Sequence, residues 1–257
     1  MAPVCLVVLA LRPGTPLPLL VAANRDEFHA RPTAKACAWP DAPGVFAGRD
    51  LEAGGTWLGV TNEGRLAAVT NYRDPGAPKG TRSRGELVTG FLRSPLDAPL
   101  FFEALAGCSS DYGPFNLLAG DASSVHVFSS RTGRGERLAP GIHGLSNHLL
   151  DTPWPKVKGT TEGLAKLLAR GEVPSVDRLF ELLNDETRAP DAELPETGVG
   201  LDMERFLSPP FIVGPSYGTR SSTVLLFYAD GRIEFCERSF DAVGKLDGEV
   251  SEAVGSR

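Results

Sequence analysis

The sequence has no extended run of lysine or arginine, and its formal net charge is -6. Binding to a phosphate backbone regardless of sequence needs clustered positive charge, so no nucleic-acid partner is expected. Long hydrophobic runs are also missing. The longest apolar stretch near the start, "VCLVVLAL", is eight residues, far below the ~20 that span a bilayer. It lacks a basic leading segment and a small-residue cleavage site. It therefore reads as a β-strand, no membrane span is expected, and the expected compartment is cytoplasmic.

Cysteine is scarce. Cys5, Cys37, Cys108 and Cys236 are dispersed, with no CxxC pair to hold a metal or cycle a disulfide. Such cysteines pack by default as small buried hydrophobes. Of the four histidines, His29, His126, His143 and His148, only the last two are close, five apart. That spacing does not make a zinc site, so no metal is expected. The phosphate loop, the dinucleotide fingerprint, the HExxH helix and the GxSxG elbow are all absent.

What is present is a chain of 257 residues at 42% hydrophobic, enough to bury a core without staples. Strand-like runs come first and last. "CLVVLAL" (5–11) and "LLVAAN" (19–24) flank a Pro/Gly turn, and an irregular Ala/Pro-rich stretch follows. Strands are expected at 56–61 and 65–72 around Asn62-Glu63-Gly64, then at 115–121 and 124–130. A last hairpin over 222–238 turns at Ala229-Asp230-Gly231.

Between them, "SRGE" predicts a capping box that starts a helix at Ser83. A short helix is expected over 99–106. The apolar spacing of "TTEGLAKLLAR" and "SVDRLFELLND" predicts two amphipathic helices. Residues 186–209 are acidic and Pro-rich and read as an exposed loop or lid, and the polar tail 246–257 as frayed. No repeat or linker divides the chain, so one domain over 1–257 is expected. The class is α+β, with helices covering antiparallel sheets in a layered sandwich.

Polar residues gather at strand ends. Asn24, Arg25 and Asp26 follow the second strand, Asn71 the fourth, Asn147 lies in "GLSNH" and Arg220 in "YGTRSS". Cys5 opens the first strand. A cysteine at a true N-terminus carries its own base, since an α-amine with pKa near 8 is partly neutral at pH 7. Its thiol can attack an amide carbonyl. Asn side chains can then hold the oxyanion, for ~3 kcal/mol per donor. Nearby Arg and Asp would orient the amine and favour thiolate. The competing reading of residues 24–27 is a structural ion-pair network that pins the hairpin end.

"ANRDEF", "AGRD", "GGTWLG", "TNYR", "RGELV", "FNLL", "GLSN", "TPWPK" and "YGTR" occur in that order along almost the whole chain. Together they resemble the NRDE family, the Transport and Golgi organisation 2 homologues. That family is similar to the N-terminal-nucleophile hydrolases, which implies a four-layer αββα sandwich. "GVTNEGRLAAVTNY" is similar to the Asn-Glu hairpin of the cysteine-type acylases.

The resemblance implies Cys5 as nucleophile, Asn71 and Asn147 as oxyanion or substrate amides, and Arg220 as the arginine beside the nucleophile. Arg25 and Asp26 are implied as the pair after strand two. Trp57, Tyr72, Trp154 and Tyr217 are candidate pocket residues. The implied substrate is an acyl amide, with no cofactor. The alternative is a non-catalytic pocket for haem or acyl-CoA, with Cys5, His29, His143 or His148 as weak axial ligand to haem. Hydrolysis requires Cys5 to begin the mature chain. "MAPV" precedes it, so the reading expects a cleaved propeptide, or initiation at Val4 followed by loss of Met.

Overall fold

A computed structural model describes residues 4–255. Thirteen strands among them form two antiparallel sheets. The first sheet holds six strands in spatial order β10 (Gly141–Leu145), β1 (Cys5–Leu11), β2 (Leu19–Phe28), β11 (Tyr217–Phe227), β12 (Ile233–Phe240) and β13 (Leu246–Val254). The second runs β3 (Thr33–Ala38), β4 (Val45–Asp50), β5 (Leu58–Thr61), β6 (Leu66–Asn71), β7 (Phe115–Asp121), β8 (Ser124–Ser129) and β9 (Arg134–Arg137). The long helices are α1 (Gly85–Arg93), α2 (Ala98–Ala106), α3 (Pro155–Leu168) and α4 (Val176–Leu183), followed by a short α5 (Leu201–Leu207).

Strand periodicity builds the layers, because alternate side chains point to opposite faces. Along β1, Val7, Leu9 and Leu11 join Leu58, Val60 and Leu118 of the second sheet in one core. The alternate residues Leu6, Val8 and Ala10 pack with Val157 and Leu164 of α3 and Leu179 of α4. On the far side, Ala67 and Leu117 of the second sheet meet Val88 and Phe91 of α1 and Phe102 of α2. The result is helix, sheet, sheet, helix: the α+β four-layer αββα sandwich expected from the sequence.

Several elements differ from expectation. The Ala/Pro-rich stretch after residue 28 contains β3 and β4, where the register slips between Ala34 and Cys37. Such a bulge breaks the alternation that reveals a strand. The segment 186–209 is not all loop, since it carries α5. The tail is not frayed over 246–254: β13 pairs with β12 from Ile233↔Val254 onward, so a polar sequence serves as an edge strand, while residues 256–257 lie outside the described range. The capping box is half formed. Glu86 accepts from the Ser83 N–H at 3.1 Å, but the Ser83 hydroxyl accepts from Gly85, and α1 begins at Gly85.

Candidate active site

The polar cluster of "LLVAANRDEF" does not follow the second strand; it lies inside it. β2 runs unbroken from Leu19 to Phe28, paired on both sides, with Cys5 opposite Arg25 in the β1 ladder. Alternation then sorts the cluster. Arg25 and Glu27 continue the face of Val21 and Ala23, toward the second sheet. Asn24 continues the face of Ala22, toward the helices.

Asn24 is wholly buried and donates to the carbonyls of Leu183 at 2.8 Å and Pro210 at 2.9 Å. It accepts from Ser222 at 2.6 Å. Leu183 ends α4, whose last carbonyls have no partner within the helix. Asn24 therefore ties α4 to the sheet, on the face away from the Cys5 side chain.

Arg25 and Glu27 enter an ionic network. Arg25 lies 3.7 Å from Glu27 and 4.0 Å from Asp50. Arg31 reaches Asp50 at 2.7 Å and Glu27 at 3.8 Å. These groups line a cleft of about 860 Å³, as do Cys5, Asp26, Trp57, Asn71, Tyr72, Arg73, Arg84 and Arg220. A cleft of this size fits an organic ligand of moderate size.

Cys5 is 5% exposed at the wall of the cleft. Burial pushes its thiol up to about 12; the Asp26 charge adds to the rise and Arg25 opposes it. The thiol is thus protonated at neutral pH, and its reaction needs a proton acceptor. Its backbone is held firmly: the Ser146 hydroxyl donates to the Cys5 carbonyl at 2.7 Å. The preceding peptide group is gripped as well. Val4 accepts from the Asp26 N–H at 3.0 Å and donates to the Tyr217 hydroxyl.

Asp26 is fully buried. One carboxylate oxygen accepts from Thr219 at 2.7 Å, and Oδ2 has no hydrogen-bond partner among the described residues. Burial raises its pKa, while the Lys156 charge works the other way. Lys156 of α3 is equally enclosed, its Nζ also lacks a partner among the described residues, and burial lowers its pKa. A buried carboxyl and a buried amine thus lie behind the start of β1.

Asn71 lines the cleft, and Asn147 stands behind it. The Asn147 side-chain amide donates to the Asn71 carbonyl at 2.9 Å, and the Asn147 main-chain carbonyl accepts from the Arg73 backbone N–H at 2.7 Å. Arg220 sits at the β11 bulge and donates to the carbonyls of Phe28, His29 and Arg31 at 3.1–3.3 Å. It clamps that turn, while Arg25 takes the position across from Cys5.

The aromatic candidates divide. Trp57 and Tyr72 line the cleft. Trp154 packs in the helix-side core, with Arg73 4.7 Å above its ring. Tyr217 packs edge-on against Phe28, and its hydroxyl accepts from the Val4 N–H. Both help build the wall rather than line it.

His29, His143 and His148 do not line the cleft. They bond to Gly214, to Asp151 and Ala139, and to Thr152 respectively. The Asp151 hydrogen bond raises the His143 pKa.

Sequence reasoning missed Arg73, Arg84, Lys156 and Glu204. The first three stand inside the quoted strings "TNYR", "RGELV" and "TPWPK", so the signal was present. Glu204 lay in the segment read as a loop. It makes a buried ion pair with Arg73 at 2.7 Å and accepts from the Thr197 N–H at 3.0 Å, docking α5 against the site.

The glycines of "GGTWLG" and "RGELV" also meet. A Cβ on Gly55 would fall 2.6 Å from the Gly85 carbonyl carbon. Only glycine permits this approach, which places Arg84 at the cleft wall.

The Transport and Golgi organisation 2 family model matches residues 4–242. The chain belongs to that family. It is 38% identical over 237 residues to the Transport and Golgi organization protein 2 homolog of Bos taurus, with 86% of each chain covered. The Homo sapiens homolog is 36% identical with the same coverage. Among solved structures, the chain is similar to a mutant conjugated bile acid hydrolase from Clostridium perfringens, with a TM-score of 0.57 over 96% of this chain and 92% of that one. Identity there is 9%, so the likeness shows the fold alone: the αββα sandwich of that hydrolase, on which a Transport and Golgi organisation 2 sequence is built. No helix among the described residues is long and apolar enough to cross a membrane.

Proposed function

We propose that the protein is a cysteine amidohydrolase that cleaves an acyl-amide C–N bond through Cys5. One observation carries this reading: Cys5 opens an interior strand at the wall of a large cleft, directly across from Arg25. The similar solved structure is a bile acid hydrolase, and the fold is one that suits such chemistry.

In the mature form, Cys5 would be the first residue. Its α-amine takes the thiol proton, and the sulfur bonds to the substrate carbonyl carbon. The C–N bond breaks as the proton passes to the leaving amine, and water then hydrolyses the thioester. Asn71, backed by Asn147, faces the developing oxyanion. Asp26, with an unpartnered oxygen close to the start of β1, orients the amine, and Arg25 supports the thiolate. The expected ligand is an acyl amide, and the reaction needs no cofactor.

The test pairs intact-mass measurement of protein from its own host with an acyl-amide turnover assay. A chain starting at Cys5, with turnover lost in Cys5→Ala, supports the reading. Turnover that survives Cys5→Ala overturns it.

A second reading is favoured by Val4. With Val4 bonded to Asp26 and Tyr217, the Cys5 nitrogen is an amide and has no basic lone pair. In that state the cleft holds acyl-CoA or haem without turning it over. For haem, none of the histidines lines the cleft among the described residues, which leaves Cys5 as the axial candidate. Binding that persists in Cys5→Ala, with no turnover in either protein, would favour this carrier role.

A further inference from the structure

The cleft is rich in arginine, and nearly every guanidinium there is already engaged. Arg25 pairs with Glu27, Arg31 with Asp50 and Arg73 with Glu204. Arg49 pairs with Asp41 and Arg82 with Glu86, and Arg220 is taken up by three carbonyls. Arg84 is the exception. Among the described residues its one side-chain hydrogen bond runs from Nη1 to the Pro114 carbonyl at 3.3 Å. No carboxylate among the described residues lies within ion-pair distance of it. Yet it is half-buried and lines the same cleft as Cys5, and the Glu27 carboxylate acts on its charge only from beyond ion-pair distance. The glycine contact beneath it fixes its backbone.

A partly desolvated cation without a counter-ion is costly, and the missing partner is an anion. Lysine would offer only a point charge; arginine offers two parallel N–H groups matched to a planar or tetrahedral oxyanion.

We propose that Arg84 binds an oxyanionic group of the ligand, carboxylate or phosphate, in the cleft that Cys5 lines. The ligand class is then an acyl compound that carries an acidic group as well as the carbonyl presented to the thiol. The proposal rests on Cys5 as the reacting group of the cleft and names what lies next to it.

The test compares two alkylating agents of similar shape, anionic iodoacetate and neutral iodoacetamide. Each forms a carbon–sulfur bond with the Cys5 thiolate and expels iodide, and the thiol proton goes to buffer. Labelling is read at the Cys5 peptide by mass spectrometry. The iodoacetate-to-iodoacetamide rate ratio is expected to be about tenfold higher in the native protein than in the urea-unfolded chain. It should collapse toward the unfolded value in Arg84→Gln, recover in part in Arg84→Lys, and shrink with added salt. A native ratio equal to the unfolded one overturns the proposal.

Cys5 that reacts with neither reagent would instead count against the nucleophile assignment, and calorimetry then decides on the subsite. Glutarate and inorganic phosphate, titrated separately, are each expected to bind wild type about tenfold more tightly than Arg84→Gln if the group they represent is the one recognised. Binding of glutarate alone assigns a carboxylate, and binding of phosphate alone a phosphate. Failure of both to bind, or equal binding to the two proteins, overturns the subsite.

Discussion

Arg25 stands directly across the β1–β2 ladder from Cys5, and both face the gap between the sheets. The cation is nonetheless shared with Glu27 and Asp50, so it does not offset the cost of burying a thiolate. The balance sets a pH dependence. Cys5 is raised from 9.0 to about 12, so the folded chain keeps a proton that the unfolded chain gives up. Above pH 9 the folded state therefore binds more protons, and this cysteine makes stability fall as pH rises through that window. A difference titration of thiolate absorbance, wild type minus Cys5→Ser, is expected to show almost no Cys5 signal at pH 9. A full signal at that pH would mean that Arg25 outweighs burial.

Asn24 is the clearest case of a residue whose type suggests chemistry and whose contacts give it a structural task. Asn24→Ala strands two carbonyls and the Ser222 hydroxyl in a dry core. The expected cost is ~3 kcal/mol in urea unfolding. At denaturant concentrations where the variant is still folded, Cys5 labelling should match wild type. A stable variant with altered labelling would place Asn24 in the site after all.

The Arg73–Glu204 pair joins the end of β6 to α5 with both side chains buried. Breaking one half leaves a buried charge, for roughly 3 kcal/mol or more. Arg73→Met is expected to lower stability by about that much, and to speed proteolysis within 187–200 as α5 loosens. The double variant Arg73→Met/Glu204→Gln should recover part of the loss. No change in proteolysis would show that α5 is held by its apolar contacts instead.

Much of the fold was legible because alternation and turn residues mark β1, β5 to β8 and the β11–β12 hairpin. β3 and β4 were hidden by a bulge, and β13 by its polar composition. In the site, Cys5, Arg25 and Asn71 were legible as polar or reactive groups at strand ends that reach one cleft. Which face each residue takes was not legible for Asn24, because the end of β2 was placed too early. Lys156 and Arg84 bear charges that look solvated in sequence, and only tertiary burial sets them apart.

The ten letters of β2 carry two interleaved texts. The odd-numbered positions from Leu19 through Arg25 and Glu27 address the cleft and the opposite sheet; the even-numbered ones through Asn24 address the helices. Each text can drift alone by substitution. Deleting one letter between Leu19 and Asn24 would swap them downstream or upstream of the cut, sending either the arginine or the leucines to the wrong reader. Length in this strand is therefore under tighter constraint than spelling.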